Sequence, residues 1–284
     1  MRQKAISEVS QLNHSKNCSA RISRKPPHLV GLITGLVCAG FSPAAFGYRP
    51  FTGTDADVAE RNAIELEIGP AGYLHAGPRS FLVAPSLIAN WGFADHLELV
   101  LEGREFLPLT EVADQPRIQL LETQLDVKWL MREGALQEGT GPSVASEWTV
   151  LLPETGQHRP GAELAAIVSW RMPALTVHAN GAVAYTREQS AGLFGGLLVE
   201  GPGAWRVRPV AEAFYDWDSA GAREISGLVG AIWPLQPSLA LDAAVRTASV
   251  RDRDQRMTTV EVRAGFTWSF SAGRGAPAPA TQNM

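Results

Sequence analysis

A two-residue alternation of apolar and polar side chains recurs along most of this chain, and it leaves few folds open. The clearest instance comes last. Val260, Val262, Ala264, Phe266, Trp268 and Phe270 fall on one face, and Glu261, Arg263, Gly265, Thr267 and Ser269 on the other. Successive side chains of a strand point to opposite faces, so this run is a strand with one apolar and one polar surface. Leu97, Leu99 and Leu101 oppose Glu98, Glu102 and Arg104 in the same way, and Leu125, Val127, Trp129 and Met131 oppose Gln124, Asp126 and Lys128. Residues 205–217 set Arg206, Arg208, Glu212 and Asp216 against Trp205, Val207, Ala211, Ala213 and Tyr215; further on, Leu239, Leu241, Ala243 and Val245 oppose Asp242 and Arg246. The first strand alternates Ile64, Leu66 and Ile68 with Glu65 and Glu67. Weaker runs at 80–91, 144–152, 162–171, 176–186, 193–200 and 224–234 bring the expected number of strands to twelve. No segment sustains a 3.6-residue apolar period with helix caps.

Two all-β architectures carry such alternation. In a soluble sandwich the apolar face is a packed core; in a transmembrane barrel it faces lipid and the polar face lines a lumen. Three features favour the closed antiparallel barrel. The apolar face repeatedly carries a tryptophan towards a strand end (Trp91, Trp129, Trp148, Trp170, Trp205, Trp233, Trp268), where an interfacial girdle needs one. The polar face mixes both charge signs with Gly, Ala, Ser and Thr. The last strand ends in Phe270, as strands recognised by the outer-membrane assembly machinery commonly do. The connections also sort into two sets. They are tight after most even strands, such as Gly92–Asp95 and Met172–Leu175, with Glu133–Pro142 a longer exception. After odd strands they are longer and polar, as at Leu107–Pro116, Pro153–Gly161, Asp218–Arg223 and Arg251–Met257.

The first 47 residues read differently. They hold six basic residues (Arg2, Lys4, Lys16, Arg21, Arg24, Lys25), the single acid Glu8 and both cysteines, Cys18 and Cys38. The basic stretch Arg21–Lys25 precedes the apolar run Leu29–Phe41, of about a signal h-region's length and too short to span a bilayer as a helix. Ala45 and Gly47 then occupy the small-residue places of a cleavage site, predicting residues 1–47 as a signal peptide cut after Gly47. Residues 48–270 are the expected barrel and 271–284 a disordered periplasmic tail rich in Pro and Ala. The expected location is the outer membrane of a Gram-negative bacterium, reached through the periplasm. Outer-membrane lipid, the assembly machinery and a small-molecule solute are the expected partners of a monomeric chain.

Of the 284 residues, 25 are Lys or Arg and 29 are Asp or Glu. The basic leader conceals an acidic remainder, in which Lys128 is the only lysine. Such a surface repels phosphate backbones, so nucleic acid is not an expected partner. With no cysteine after Cys38, a disulfide framework and a cysteine zinc site are excluded from the barrel.

The opening Tyr48-Arg-Pro-Phe-Thr-Gly-Thr-Asp-Ala-Asp57, followed by the Glu-rich strand Ile64–Ile68, resembles the "MetA-pathway of phenol degradation" family of transporter-like outer-membrane barrels. The similarity lies in Pro50-Phe-Thr52 and Thr54-Asp55, with Gly53 inserted between the threonines. It implies an outer-membrane β-barrel with a transport function, and it carries no residue role beyond that opening.

Catalytic signals are sparse. His75, His96, His158 and His178 are scattered without metal-ligand spacing, and no nucleophile elbow, P-loop or dinucleotide fingerprint occurs; no cofactor is expected. If Met172–Leu175 form a four-residue turn, Ser169 faces His178 across two strands, with Asn180 two residues along. That would suit a barrel esterase or phospholipase, although it places the pair in the lumen. The lumen-lining candidates are the charged residues of the polar faces: Glu65, Glu67, Glu98, Glu102, Arg104, Asp126, Lys128, Arg206, Arg208, Glu212, Asp242, Arg246, Glu261 and Arg263. They can form a salt-bridge network, a constriction that steers solutes, or both. Barrel closure is expected to bring Glu261 and Arg263 near Glu65 and Glu67. Residues 193–200 are apolar on both faces, with Phe194, Gly196 and Leu198 inward; this reads as a poorly phased strand beside a bulge at Gly195-Gly196 or, alternatively, as a path for an apolar solute. A passive channel for small molecules, aromatic or otherwise hydrophobic, is the function this pattern supports best. A barrel hydrolase, a soluble periplasmic sandwich and a plugged structural barrel are its alternatives.

Overall fold

A computed structural model of the chain describes residues 48–110, 116–253 and 255–272. The predicted signal peptide and all but the first two residues of the predicted tail lie outside the described residues. Twelve antiparallel strands form a closed barrel: β1 (Ala63–Ala76), β2 (Arg79–Ala94), β3 (Leu97–Pro108), β4 (Gln119–Arg132), β5 (Ser143–Leu151), β6 (Gly161–Arg171), β7 (Thr176–Tyr185), β8 (Ala191–Glu200), β9 (Arg208–Asp218), β10 (Ala222–Gln236), β11 (Leu239–Asp252) and β12 (Gln255–Ser271). Each pairs with its neighbours in sequence, and β12 closes on β1 from Ala63 opposite Ser271 to Ala76 opposite Thr259. Closure leaves no free strand edge, which in hydrocarbon is a requirement because unpaired backbone groups there find no water.

The outer surface is apolar across the middle of the barrel. Leu87, Leu101, Val127, Leu164, Val183, Leu193, Leu197, Ile225, Val229, Val245 and Val262 are all exposed. A continuous apolar surface of this extent is untenable in water and suited to lipid. Aromatic side chains mark its two rims. Trp91, Trp129, Trp170, Trp205 and Trp233 are exposed at the end of the barrel that carries the N-terminus of β1 and the C-terminus of β12, termed here the terminal end. Tyr73, Tyr185 and Tyr215 are exposed towards the opposite, distal end. Trp148 sits away from the terminal rim, within the short strand β5.

Three expectations need correction. The alternation places the first strand at Ile64–Ile68. The strand instead continues to Ala76 through a bulge at Gly69-Pro70, between Ile68 and Ala71. Proline has no N–H for the ladder and is tolerated at such a break. The extra residue inverts the phase, so Glu65 and Glu67 point inward before the bulge and Leu74 and Ala76 after it. Second, the distal connections are not generally long. β9–β10 closes over residues 219–221, and β12 starts at Gln255 directly after β11 ends at Asp252, with Gly221 and Arg253 at positive φ. Pairing simply continues through the polar residues at those strand ends. Third, Glu261 and Arg263 lie opposite Leu74 and Gly72, whereas Glu65 and Glu67 face Ser269 and Thr267.

The walls differ in height. β1, β2 and β10 to β12 run 14 to 17 residues, and β5 to β8 only 9 to 11. Inside the taller wall near the distal end, Leu74, Phe81, Val83, Phe106, Leu121 and Val250 form a dry cluster. The polar interior lies below and beside it.

Candidate functional site: a lumen filled by the N-terminal segment

Residues 48–62 add no strand to the wall. They run inside the barrel's terminal half, and inward-facing polar side chains from most of the wall hold them. Arg49 is the first anchor: its Nε and Nη2 donate to Asp242 on β11 at 3.1 and 3.3 Å, and its backbone N–H donates to Glu67 at 2.9 Å. Two glycines make room for its guanidinium. A Cβ at Gly265 would lie 2.5 Å from Arg49 Nε, and one at Gly69 would lie 2.8 Å from Nη1.

At the tip of the segment, the amides of Thr52 and Gly53 converge on Glu212 of β9, at 3.0 and 2.7 Å. Arg263 of β12 donates to the carbonyls of Pro50 and Phe51. A carboxylate accepting two amides and a guanidinium donating to two carbonyls satisfy a stretch of backbone that has no strand partner, as buried peptide groups require. Phe51 packs into an apolar seat of Leu198, Val210, Leu228, Ile232, Ala240 and Ala244.

The segment then turns back. Asn180 of β7 both accepts from Thr54 N–H and donates to its carbonyl, each at 2.8 Å. Ala56 N–H donates to Ser169 Oγ on β6 at 2.9 Å. Ala56 also packs with Ala145, Ile167 and Leu136. Leu136 belongs to a short 3-10 turn (Ala135–Gln137) in the β4–β5 connection, whose Gln137 donates to Asp57 at 2.9 Å. Burial, then the neighbouring Asp55, raises the Asp57 carboxyl above its usual range. The one long connection at the terminal end thus carries a prop for the segment. Near Ala63, a Cβ on Gly92 would lie 2.1 Å from the Glu60 carbonyl, so β2 passes directly against the returning chain.

Lys128 is fully buried and committed to this segment: its Nζ contacts the Tyr48 hydroxyl and Thr54 Oγ1, and pairs with Asp55 at 3.3 Å. Tyr48 in turn donates to Glu98 at 3.0 Å. Burial, then Glu98, holds the Tyr48 hydroxyl well above its usual pKa, so it stays a donor.

Thirteen of the fourteen predicted lumen residues are buried inside the barrel: Glu65, Glu67, Glu98, Glu102, Arg104, Asp126, Lys128, Arg208, Glu212, Asp242, Arg246, Glu261 and Arg263. Arg206 is not among them. β9 begins at Arg208, so Arg206 lies exposed in the β8–β9 connection, its guanidinium 5.6 Å over the Trp233 ring on the outer surface. An alternation that continues past a strand's start reads correctly on paper and fails where pairing ends.

The buried charges separate into two groups. On the taller wall they are paired. Glu261 contacts Arg104, Arg263 and Arg246; Arg104 also pairs with Glu122 at 3.0 Å, and Arg246 with Glu224 at 2.9 Å. Towards β4 to β6 carboxylates predominate. Glu102, Asp126, Glu147, Glu163 and Asp216 line a cavity of about 100 Å³ on the distal side of the segment, together with Phe194 and Phe214. A smaller recess at the distal mouth, under Glu154 and Arg187, shares Asp216 with it.

Ser169 and His178 stand directly opposite each other across β6 and β7, as a four-residue turn requires, with Oγ and Nδ1 2.8 Å apart. Asn180 does not join them; Glu200 lies 3.4 Å from His178 Nε2, which makes no hydrogen bond, so no triad is assembled. Both Ser169 and His178 are buried, and the serine is covered by Ala56. On β8, Phe194 lines the cavity, while Leu198 forms part of the Phe51 seat.

The N-terminal segment is what sequence reading missed. Its trace was present as a surplus of inward acceptors (Asn180, Glu212, Asp242) beyond what the wall itself uses.

No family model matches the chain, and no curated protein matches it. Among solved structures, the COG4313 outer membrane channel from Pseudomonas putida F1 is similar at a TM-score of 0.57 and 10% identity, over 78% of this chain and 100% of that one. The KdgM porin in complex with disordered oligogalacturonate follows at 0.47 and 11%, over 73% and 99% of the two chains. The CymD monoaromatic hydrocarbon channel gives 0.43 and 8%, over 74% and 89%. At such identities the likeness concerns architecture, and the chain has the barrel fold found in outer-membrane channels.

Proposed function

We propose that this protein is a monomeric outer-membrane channel for passive diffusion of small molecules, closed at rest by its own residues 48–62. Its terminal end faces the periplasm and its distal end the exterior, and the outer-membrane assembly machinery inserts it after export. Aromatic or other hydrophobic molecules are the proposed solutes, in keeping with the resemblance of residues 48–57 to the MetA-pathway family.

One observation carries the reading. The lumen is occupied by a segment held through side-chain hydrogen bonds and one phenylalanine seat, with a cavity partly walled by Phe194 and Phe214 directly beyond it. Such contacts exchange individually with water, whereas strand pairing does not, so the segment can leave the lumen without opening the barrel wall. The seat also changes the reading of Leu198: it holds Phe51 rather than lining a solute path.

With the segment in place, the hydrolase reading lacks room for a substrate. Ser169 Oγ lies beneath Ala56 and already accepts its amide proton, so it serves as an anchor for the segment.

Planar-bilayer recording of the purified protein tests the proposal. The natural chain should conduct rarely. A variant combining Asp242→Asn with Glu212→Gln, which weakens both anchors of the tip, should conduct readily, and a soluble aromatic such as 2-phenylethanol should reduce that current. A variant that remains closed, although folded by its heat-modifiable migration on a gel, would leave a structural barrel in place of a channel.

A further inference from the structure

The cavity beyond the segment has an unusual charge balance. Five carboxylates converge on it, and among the described residues no lysine, arginine or histidine lines it. The nearby cations are engaged elsewhere. Lys128, two residues along β4 from Asp126 on the same inward face, is held by Tyr48, Thr54 and Asp55. Arg104, Arg246 and Arg263 are held by Glu122, Glu224 and Glu261.

Asp126 has the plainest need. It is 1% exposed. Its Oδ2 accepts from Gln124 at 3.4 Å and the Thr149 hydroxyl stands beside the carboxyl from directly across on β5, while Oδ1 is buried without a hydrogen-bond partner. A buried carboxylate oxygen without a donor is costly, and a charged donor relieves that cost best. The opposite side of the same cavity is aromatic. Phe194 and Phe214 pack with ring centroids 5.4 Å apart; Arg246 already lies over the Phe214 ring, 5.4 Å from its centroid, so what this pair offers a ligand is chiefly apolar contact. A bare metal ion is a poor match, since no group of three or more His, Cys, Asp or Glu side chains among the described residues is spaced to hold one. At about 100 Å³ the cavity is several times what one water needs (roughly 10–15 Å³).

We propose that this cavity binds a small organic monocation, a protonated amine donating to Asp126 with its aromatic or other apolar body against Phe194 and Phe214. The inference rests on the channel reading only in placing the site on a solute's route. Binding itself requires no conduction.

The test is isothermal titration calorimetry on the full chain in detergent, with three probes of one shape: phenethylammonium, 2-phenylethanol and phenylacetate. The amine should bind measurably at neutral pH, the alcohol at least tenfold more weakly, and the carboxylate not at all. Asp126→Asn should weaken amine binding at least tenfold, and Phe194→Ala should weaken phenethylammonium more than methylammonium. Gel migration before and after heating shows that each variant is a folded barrel, and Glu147→Gln serves as the second variant if Asp126→Asn does not assemble. Amine binding no tighter than that of the alcohol, or unchanged in the folded carboxylate variant, would overturn the site. The same preparation recorded in a bilayer separates this from the channel reading. A pore that opens yet binds no amine removes only the site, and a barrel that binds the amine but never conducts removes only the channel.

Discussion

Ser169 Oγ lies 2.8 Å from His178 Nδ1 and accepts the Ala56 amide at 2.9 Å, so one hydroxyl joins the barrel wall to the segment inside it. Ser169→Ala leaves the buried Ala56 N–H without an acceptor, which typically costs about 1–3 kcal/mol. The expected result is a looser segment: faster proteolysis within residues 48–62 and more frequent opening in bilayers. Hydrolysis of p-nitrophenyl esters should be absent from the natural chain and the variant alike. An esterase activity lost in Ser169→Ala would restore the hydrolase reading.

Gly265 and Arg49 make a second test of the closed state. Any side chain at Gly265 places a Cβ 2.5 Å from Arg49 Nε and 2.6 Å from the Ile68 carbonyl. Gly265→Ala must therefore displace the guanidinium and strand the buried Asp242. Arg49→Met strands it as well, without crowding. Breaking a buried ion pair by removing one partner costs about 3–5 kcal/mol. Both variants should raise conductance, and adding Asp242→Asn to Arg49→Met should recover part of the lost stability, read as the temperature at which the folded gel band disappears.

Much of the wall could be read from the sequence because a barrel's periodicity is local. Leu125 to Met131 and Val260 to Phe270 need only two-residue alternation to declare their faces, and the Ser169–His178 pairing followed from one four-residue turn. Errors arose where a local rule met a non-local event. The alternation of Ile64 to Ile68 stops at Gly69-Pro70, where only the pairing of β1 with β12 reveals a bulge and a strand that continues. Arg206 keeps the phase of β9 but precedes its first ladder bond. The segment at 48–62 escaped for a deeper reason. Its contacts with Asp242, Glu212 and Asn180 span 126 to 193 residues, and neither Thr52-Gly53-Thr54 nor its neighbours show any period that names a partner.

Glu261 is the hub of the taller wall, contacting Arg104, Arg246 and Arg263 at once. Glu261→Gln keeps the shape and removes the charge, leaving three buried guanidinium groups close together with less compensation. The expected loss is again about 3–5 kcal/mol, seen as a lower unfolding temperature. In a variant already opened at Asp242 and Glu212, the same change should move ion selectivity towards anions, measured as reversal potential in a salt gradient.

Glu154, in the β5–β6 connection at the distal mouth, gives the barrel a pH dependence. Burial raises its carboxyl to about 7, against the opposing pull of Arg187, 3.4 Å away. Its Oε2 accepts the Glu122 amide at 2.7 Å, while Arg187 donates to the Leu152 and Thr123 carbonyls. A carboxyl whose folded pKa lies above its unfolded value binds its proton more tightly in the folded state. Its contribution to stability is therefore complete below about pH 4 and is lost as pH rises through about 7. The shift sets an upper bound of about 3 kcal/mol. The unfolding temperature of the natural chain should fall between pH 5 and 8. Glu154→Gln, neutral at every pH, should flatten that slope while retaining a side-chain oxygen for Glu122 N–H. An equally steep fall in the variant would assign the titration to another group.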